Sequence, residues 1–173
     1  MILVSYLGAL AACTVAAVAD VRTRRIPNAL PVALAVFGLA LGAFSGWRGL
    51  LSAFAAGSLL LVLGTIPFGL GLLGGGDVKL LAGTATVFGL SGALPLAVYT
   101  ALMGGVLALA VAAATGELRS VAGRAMRVVA PQLAQGPAPP ASARRLPYAV
   151  AIAAAVLWML LAETVLPALK LVR

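Results

Sequence analysis

The sequence predicts an all-α integral membrane protein with about six transmembrane helices and an extracytoplasmic N-terminus. Three observations carry that expectation. Of the 173 residues, 63% are hydrophobic and 9% are charged. Mean hydropathy is +1.14, well outside the range of soluble domains. Apolar runs long enough to cross a bilayer are separated by short turns that hold most of the basic residues. No hydrophilic stretch is long enough to fold by itself, so residues 1–173 read as a single transmembrane domain.

The elements follow in order. Residues 1–19 are uncharged and long enough to span a hydrocarbon core of about 30 Å at roughly 1.5 Å per residue. Their basic residues, Arg22, Arg24 and Arg25, come after the apolar run rather than before it, so the segment reads as a retained first helix and not a signal peptide. Further spans are expected near residues 29–45, 50–72, 78–90, 94–114 and 147–169. The span at 78–90 is short and is expected to recruit residues from its glycine-rich entrance or from the turn at Ser91-Gly92. In the second span Gly38, Gly42 and Gly46 recur every four residues, a ladder that lets helices approach closely. Packing within the chain is the first reading of that ladder, and a homo-oligomer seam the second.

Residues 115–146 form the longest polar segment. On a helical wheel Arg119, Arg124 and Arg127 fall opposite Val121, Met126, Val129 and Leu133, which describes a cytoplasmic amphipathic helix lying on anionic lipid before the last span. With the N-terminus outside, the inner face carries Arg22, Arg24, Arg25, Lys79, Arg119, Arg124, Arg127, Arg144 and Arg145, and the outer face Arg48, Lys170 and Arg173. That asymmetry obeys the positive-inside rule, and the opposite orientation inverts it. A net charge of +8 would point to nucleic acid in a soluble protein. Here the charge belongs to membrane loops, and no nucleic-acid partner is expected.

The inventory of reactive side chains is short. The chain has no His and one Cys, Cys13, inside an apolar run. Histidine-based zinc sites, Ser-His nucleophiles, Cys-x-x-Cys zinc knuckles and disulfide frameworks are therefore excluded. What remains is a pair of aspartates. Asp20 closes the first span and opens Asp20-Val21-Arg22-Thr23-Arg24-Arg25-Ile26-Pro27-Asn28; Asp77 follows Gly74-Gly75-Gly76. A carboxylate at the edge of hydrocarbon is costly, which makes it a functional candidate. The topology places both on the cytoplasmic side at similar depth. Two carboxylates held together cannot both ionise cheaply, so they share a proton. The ionised one can then take a proton from water while the neutral one donates to a peptide carbonyl oxygen.

The neighbouring residues fit that scheme. Gly74, Gly75 and Gly76 offer positive φ and a side-chain-free approach to Asp77, or simply a turn. Lys79 reads as a snorkelling surface lysine, with lipid or substrate contact as its second reading. Arg22, Arg24 and Arg25 read first as topology determinants and second as substrate contacts. Pro27 pushes Ile26 out of the α region, and Asn28 is placed to cap the next helix.

At these residues the chain resembles the type IV prepilin peptidases, Gly-x-Gly-Asp intramembrane aspartic proteases. The first family motif corresponds to Asp20 through Asn28 and the second to Gly74-Gly75-Gly76-Asp77-Val78-Lys79-Leu80. Leu146-Pro147-Tyr148-Ala149-Val150-Ala151-Ile152-Ala153 is similar to the start of the family's last helix. The resemblance implies a multi-pass protein of the prokaryotic inner membrane whose active site faces the cytoplasm. It implies removal of the basic leader from prepilins, with Asp20 and Asp77 as the catalytic pair and no metal or organic cofactor. The partners would be the prepilin and anionic lipid. The chain is more similar to the short form that accompanies Flp-type pili, since the paired-cysteine segment of the long forms is missing, and this argues against N-methyltransferase activity. Two other classes stay open at this point: a proton-coupled transporter using Asp20 and Asp77 as relays, and a non-catalytic pilus-assembly subunit.

Overall fold

The computed structural model describes residues 2–116 and 147–164. Among these there are five helices and no strand: α1 (Ile2–Thr23), α2 (Ala29–Phe44), α3 (Trp47–Gly69), α4 (Gly75–Thr115) and α5 (Tyr148–Thr164). Three stretches are long and apolar enough to cross a membrane, at Leu3–Thr23, Trp47–Gly69 and Gly75–Thr115, while α2 and α5 are shorter apolar helices. Large apolar side chains such as Val36, Phe54, Val62 and Ile66 lie exposed on the outside. Helices satisfy their own backbone groups and can present such a surface to lipid. The chain is a helical membrane protein.

The described residues belong to two compact units. The first comprises residues 1–103 and 147–173, and the second residues 104–146. Of the second, the described part is the end of α4 and Gly116, whose φ of 72° closes the helix in a left-handed turn. The amphipathic helix expected after residue 116 lies outside the described residues.

In the first unit, residues 75–88 of α4 form the central helix. Every residue from Leu80 to Val87 is buried, as expected of a helix that is apolar all round. Small residues make room for it. A Cβ on Gly38 of α2 would strike the Thr86 side chain and, at 2.5 Å, the backbone of Thr86 and Val87. On α3, Gly57 and Gly64 leave space for the methyls of Thr86 and Val78, which a Cβ would meet at 2.5 and 2.7 Å. Gly83 of α4 itself lies under the Pro31 carbonyl of α2, where a Cβ would come within 2.5 Å. The Thr86 hydroxyl donates to Gly83 O at 2.7 Å and to Leu34 O at 3.3 Å, so its polarity is absorbed. Cys13 of α1 is fully buried, and its Sγ lies 3.4 Å from Thr84 Oγ1.

Several expectations need correcting. The spans drawn at 78–90 and 94–114 are two helical sections that meet in a kink at Gly89 and not at Ser91-Gly92, through which the backbone stays helical. Gly89 has φ 65° and ψ −172°, a region open only to glycine, and Ser52 Oγ accepts the Leu90 N–H that the break frees, at 2.9 Å. The recruitment of glycines at the entrance does occur: Gly75 and Gly76 are the first residues of α4. Gly38 and Gly42 pack inside the chain, Gly42 against Gly49 and Ala53, while Gly46 leaves the ladder to form the α2–α3 turn with φ 89°. Asn28 occupies the N-cap position of α2 but makes no side-chain capping bond, being already in the right-handed helical region.

Candidate active site

Asp20 and Asp77 lie at the same end of the first unit, each 8% exposed. They reach that place by different local rules. Helix α1 runs one turn past Asp20 and stops at Thr23, where the Thr23 hydroxyl bonds back to Ala19 O and Arg24 adopts φ 55°. The Arg24 N–H then closes on Asp20 O at 2.9 Å, so the carboxylate sits on the last rigid turn rather than in the loop. A left-handed arginine costs about 1 kcal/mol, and it reverses the chain directly beside the acid.

Asp77 is the third residue of α4. Its Oδ2 accepts the Gly74 N–H at 3.0 Å, the reach-back bond of a helix-capping carboxylate, and the helix dipole favours it there. This geometry explains Gly74. A Cβ at that position would stand 2.9 Å from Asp77 Oδ2. A Cβ on Gly76 would come 3.3 Å from Ile26 Cβ. The glycines therefore act by close approach, and positive φ is not used at any of the three. Ile26 laid on Gly76 also clamps the segment after Asp20 onto the segment carrying Asp77.

The start of α5 completes the surroundings. The Ala149 backbone N–H donates to the Asp20 carboxylate, and Tyr148 lies within electrostatic reach of Asp77. The two aspartates also feel each other's charge. Asp20 Oδ2 and Asp77 Oδ1 are each buried without a hydrogen-bond partner. Two unpartnered carboxylate oxygens at one site are costly unless a proton and a water or substrate group are to be held there.

Among the described residues, Arg24 interacts electrostatically with the Asp20 carboxylate. Arg22, Arg25 and Lys79 are exposed. Ile26, Tyr148 and Ala149 were not candidates from the sequence as site residues. Pro147 just before a helix start was the available signal for the last two, because it marks a terminus whose free N–H groups need acceptors. No group of residues suited to holding a metal ion occurs among the described residues. A separate cleft of about 260 Å³ beside the Gly89 break is lined by Ser5, Ser45, Ser52 and Thr86 among others, but by no ionisable residue.

A family model described as the type IV leader peptidase family matches residues 7–109, which include both aspartates and the glycines before the second. The chain belongs to the type IV leader peptidase family. Membership implies peptidase activity in general terms, which fits buried acids better than a structural reading does. No curated protein and no solved structure matches the chain.

Within such a peptidase the Gly74 contact yields a prediction. In Gly74→Ala the new methyl is expected to push the Asp77 carboxylate away from the Gly74 N–H, a movement the flexible acid can make without unfolding the helix. Cleavage should fall by about a hundredfold, the usual consequence of misplacing a reacting group by about 1 Å. Rates measured at matched membrane levels check this, alongside an unchanged melting temperature.

Proposed function

We propose that this leader peptidase is an intramembrane aspartic endopeptidase that removes the basic leader of type IV, Flp-like prepilins at the cytoplasmic membrane face. The observation that carries the reading is the site itself: two buried, mutually interacting carboxylates at one end of a helical membrane protein, each with a free oxygen. A water held between them loses a proton to the ionised carboxylate and attacks the scissile carbonyl carbon. The neutral carboxylate donates its proton to the carbonyl oxygen. Collapse of the tetrahedral intermediate then breaks the C–N bond, and the amine leaves with a proton returned from the pair.

The topology in this reading has six passes with the N-terminus outside, the two sections of α4 on either side of Gly89 counting as separate passes. Support comes from the distribution of basic residues over the loops. The substrate would combine a basic leader, attracted by anionic lipid, with an apolar helix that lies beside the exposed hydrophobic surface. The Arg22, Arg24 and Arg25 cluster would meet an acidic residue of the mature segment. Neither a metal nor a cofactor enters the scheme, and N-methylation is not part of it.

The test uses the purified chain in lipid vesicles with a synthetic Flp-like prepilin, read by mass spectrometry. A single cut at the leader junction, at an unchanged rate in excess EDTA, is the expected result. Failure to cut any basic-leader prepilin, together with aspartate-dependent proton flux across the vesicles, would overturn the reading in favour of a transporter.

A further inference from the structure

The loop that leaves Asp20 turns a single side chain inward. Residues 21–28 are all exposed except Ile26, which is partly buried against the hydrophobic core. What Ile26 meets is Gly76, the residue before Asp77. A Cβ on Gly76 would touch three Ile26 atoms first: Cβ at 3.3 Å, Cδ1 at 3.6 Å and Cγ1 at 3.7 Å. The chain between Asp20 and this contact has little slack. The Arg24 N–H closes on Asp20 O at 2.9 Å, and the Thr23 hydroxyl, already bonded to Ala19 O, also reaches Arg25 O at 3.1 Å. On the other side Pro27 keeps Ile26 out of the helical region, and a β-branched side chain has few rotamers to choose from.

We propose that Ile26 is a positioning residue of the aspartate pair, its side chain seated on Gly76 so as to fix how closely Asp20 approaches Asp77. This rests on the peptidase reading and deepens it. Each acid has its own local anchor. Asp20 sits on the last turn of α1, and Asp77 on the first turn of α4 with Oδ2 on the Gly74 N–H. Those anchors orient each carboxylate, whereas the separation of the two helix ends depends on what joins them, and untied helix ends fray. The join runs from Asp20 through the closed turn to Ile26, across to Gly76, and by one peptide bond to Asp77. A water must touch both carboxylates at once to be activated, and a displacement of about 1 Å costs about a hundredfold in rate. Glycine at 76 lets the Ile26 branch lie on main chain, which cannot rotate away as a side chain could. Ile26 touches neither water nor substrate in this scheme; it acts through the acids.

The experiment measures kcat and KM in vesicles with the same synthetic prepilin, per amount of folded enzyme. Ile26→Ala should lower kcat by about a hundredfold with KM within about twofold of wild type. Ile26→Val keeps Cβ and Cγ1 on Gly76 and should lose only about fivefold, so it carries the test should Ile26→Ala not accumulate. Gly76→Ala should slow cleavage by about tenfold, because its methyl forces Ile26 back. In the double variant that methyl meets a shortened side chain, so Ile26→Ala/Gly76→Ala should be no slower than Ile26→Ala. Met159→Ala is the control for stability alone. Met159 is buried about three turns beyond the start of α5, and its truncation should lower the melting temperature while keeping kcat. Wild-type kcat in Ile26→Ala or Ile26→Val would overturn the proposal, as would a loss confined to KM. So would a double variant whose loss multiplies those of the singles, or a Met159→Ala enzyme that loses as much kcat. Asp77→Asn in the same preparation separates the two levels. If it is inactive while Ile26→Ala is fully active, only the role of Ile26 fails; if it cleaves normally, the peptidase mechanism fails with it.

Discussion

Asp77→Asn and Asp20→Asn are each expected to reduce leader removal by at least about a thousandfold while leaving the protein folded. The reason lies in what asparagine keeps. Its carbonyl oxygen can still accept the Gly74 N–H in place of Asp77 Oδ2, or the Ala149 N–H in place of Asp20, so the caps of α4 and α5 survive. What it cannot do is hold or return a proton, and residues that act as one unit each forfeit most of the rate when removed. Asp→Ala at either position is a less clean test. It would lose the same activity and in addition about 1 kcal/mol of helix capping. Thermal melts of both pairs of variants, beside their cleavage rates, check the separation between chemistry and stability.

The largest structural effect is expected at Gly38. Its missing Cβ is occupied by the Thr86 side chain and by the backbone of Thr86 and Val87, and backbone atoms of a helix buried on every side cannot step away. Gly38→Ala should cost about 3 kcal/mol, at the upper end for overpacking, and Gly38→Leu should prevent the protein from accumulating in the membrane. Because α4 carries Asp77, the surviving Gly38→Ala protein should also cleave more slowly. Denaturation midpoints in mild detergent measure the first effect. A protein in which Gly38 merely lined a contact between copies would keep its monomer stability and lose only self-association, so the two measurements distinguish the uses of this residue.

Much of this arrangement was legible in the chain. Composition and hydropathy gave the helical membrane class, and an inventory without histidine left the two aspartates as the main candidates for chemistry. The bounds of α2 also followed closely from its apolar run. The less legible parts share a physical cause. Hydropathy is blind to backbone geometry, so it placed a turn at Ser91-Gly92, whereas Gly89 alone adopts the glycine-only conformation and Ser52, from another helix, caps the break. It also cannot say which neighbour a glycine faces, and Gly38, Gly42 and Gly46, alike in sequence, meet a central helix, an adjacent helix and nothing within 4 Å. The glycines before Asp77 were read through positive φ, a side-chain-free approach to the carboxylate, or a turn; positive φ is not used, while Gly74 lies close against the carboxylate and Gly76 against Ile26, a residue the pattern did not point to. Ala149 escaped notice because the atom that matters is a main-chain N–H, which no side-chain pattern encodes.

The most direct test of the central claim, that Asp20 and Asp77 work as one unit, is a cycle of cleavage rates. Leader removal would be timed for wild type, Asp20→Asn, Asp77→Asn and the double variant at equal membrane levels. The account predicts that each single variant is nearly inactive and that the double variant is no worse than either, because a pair that shares one proton is lost when one member goes. Substantial cleavage in either single variant, or losses in the double variant that multiply those of the singles, would contradict it.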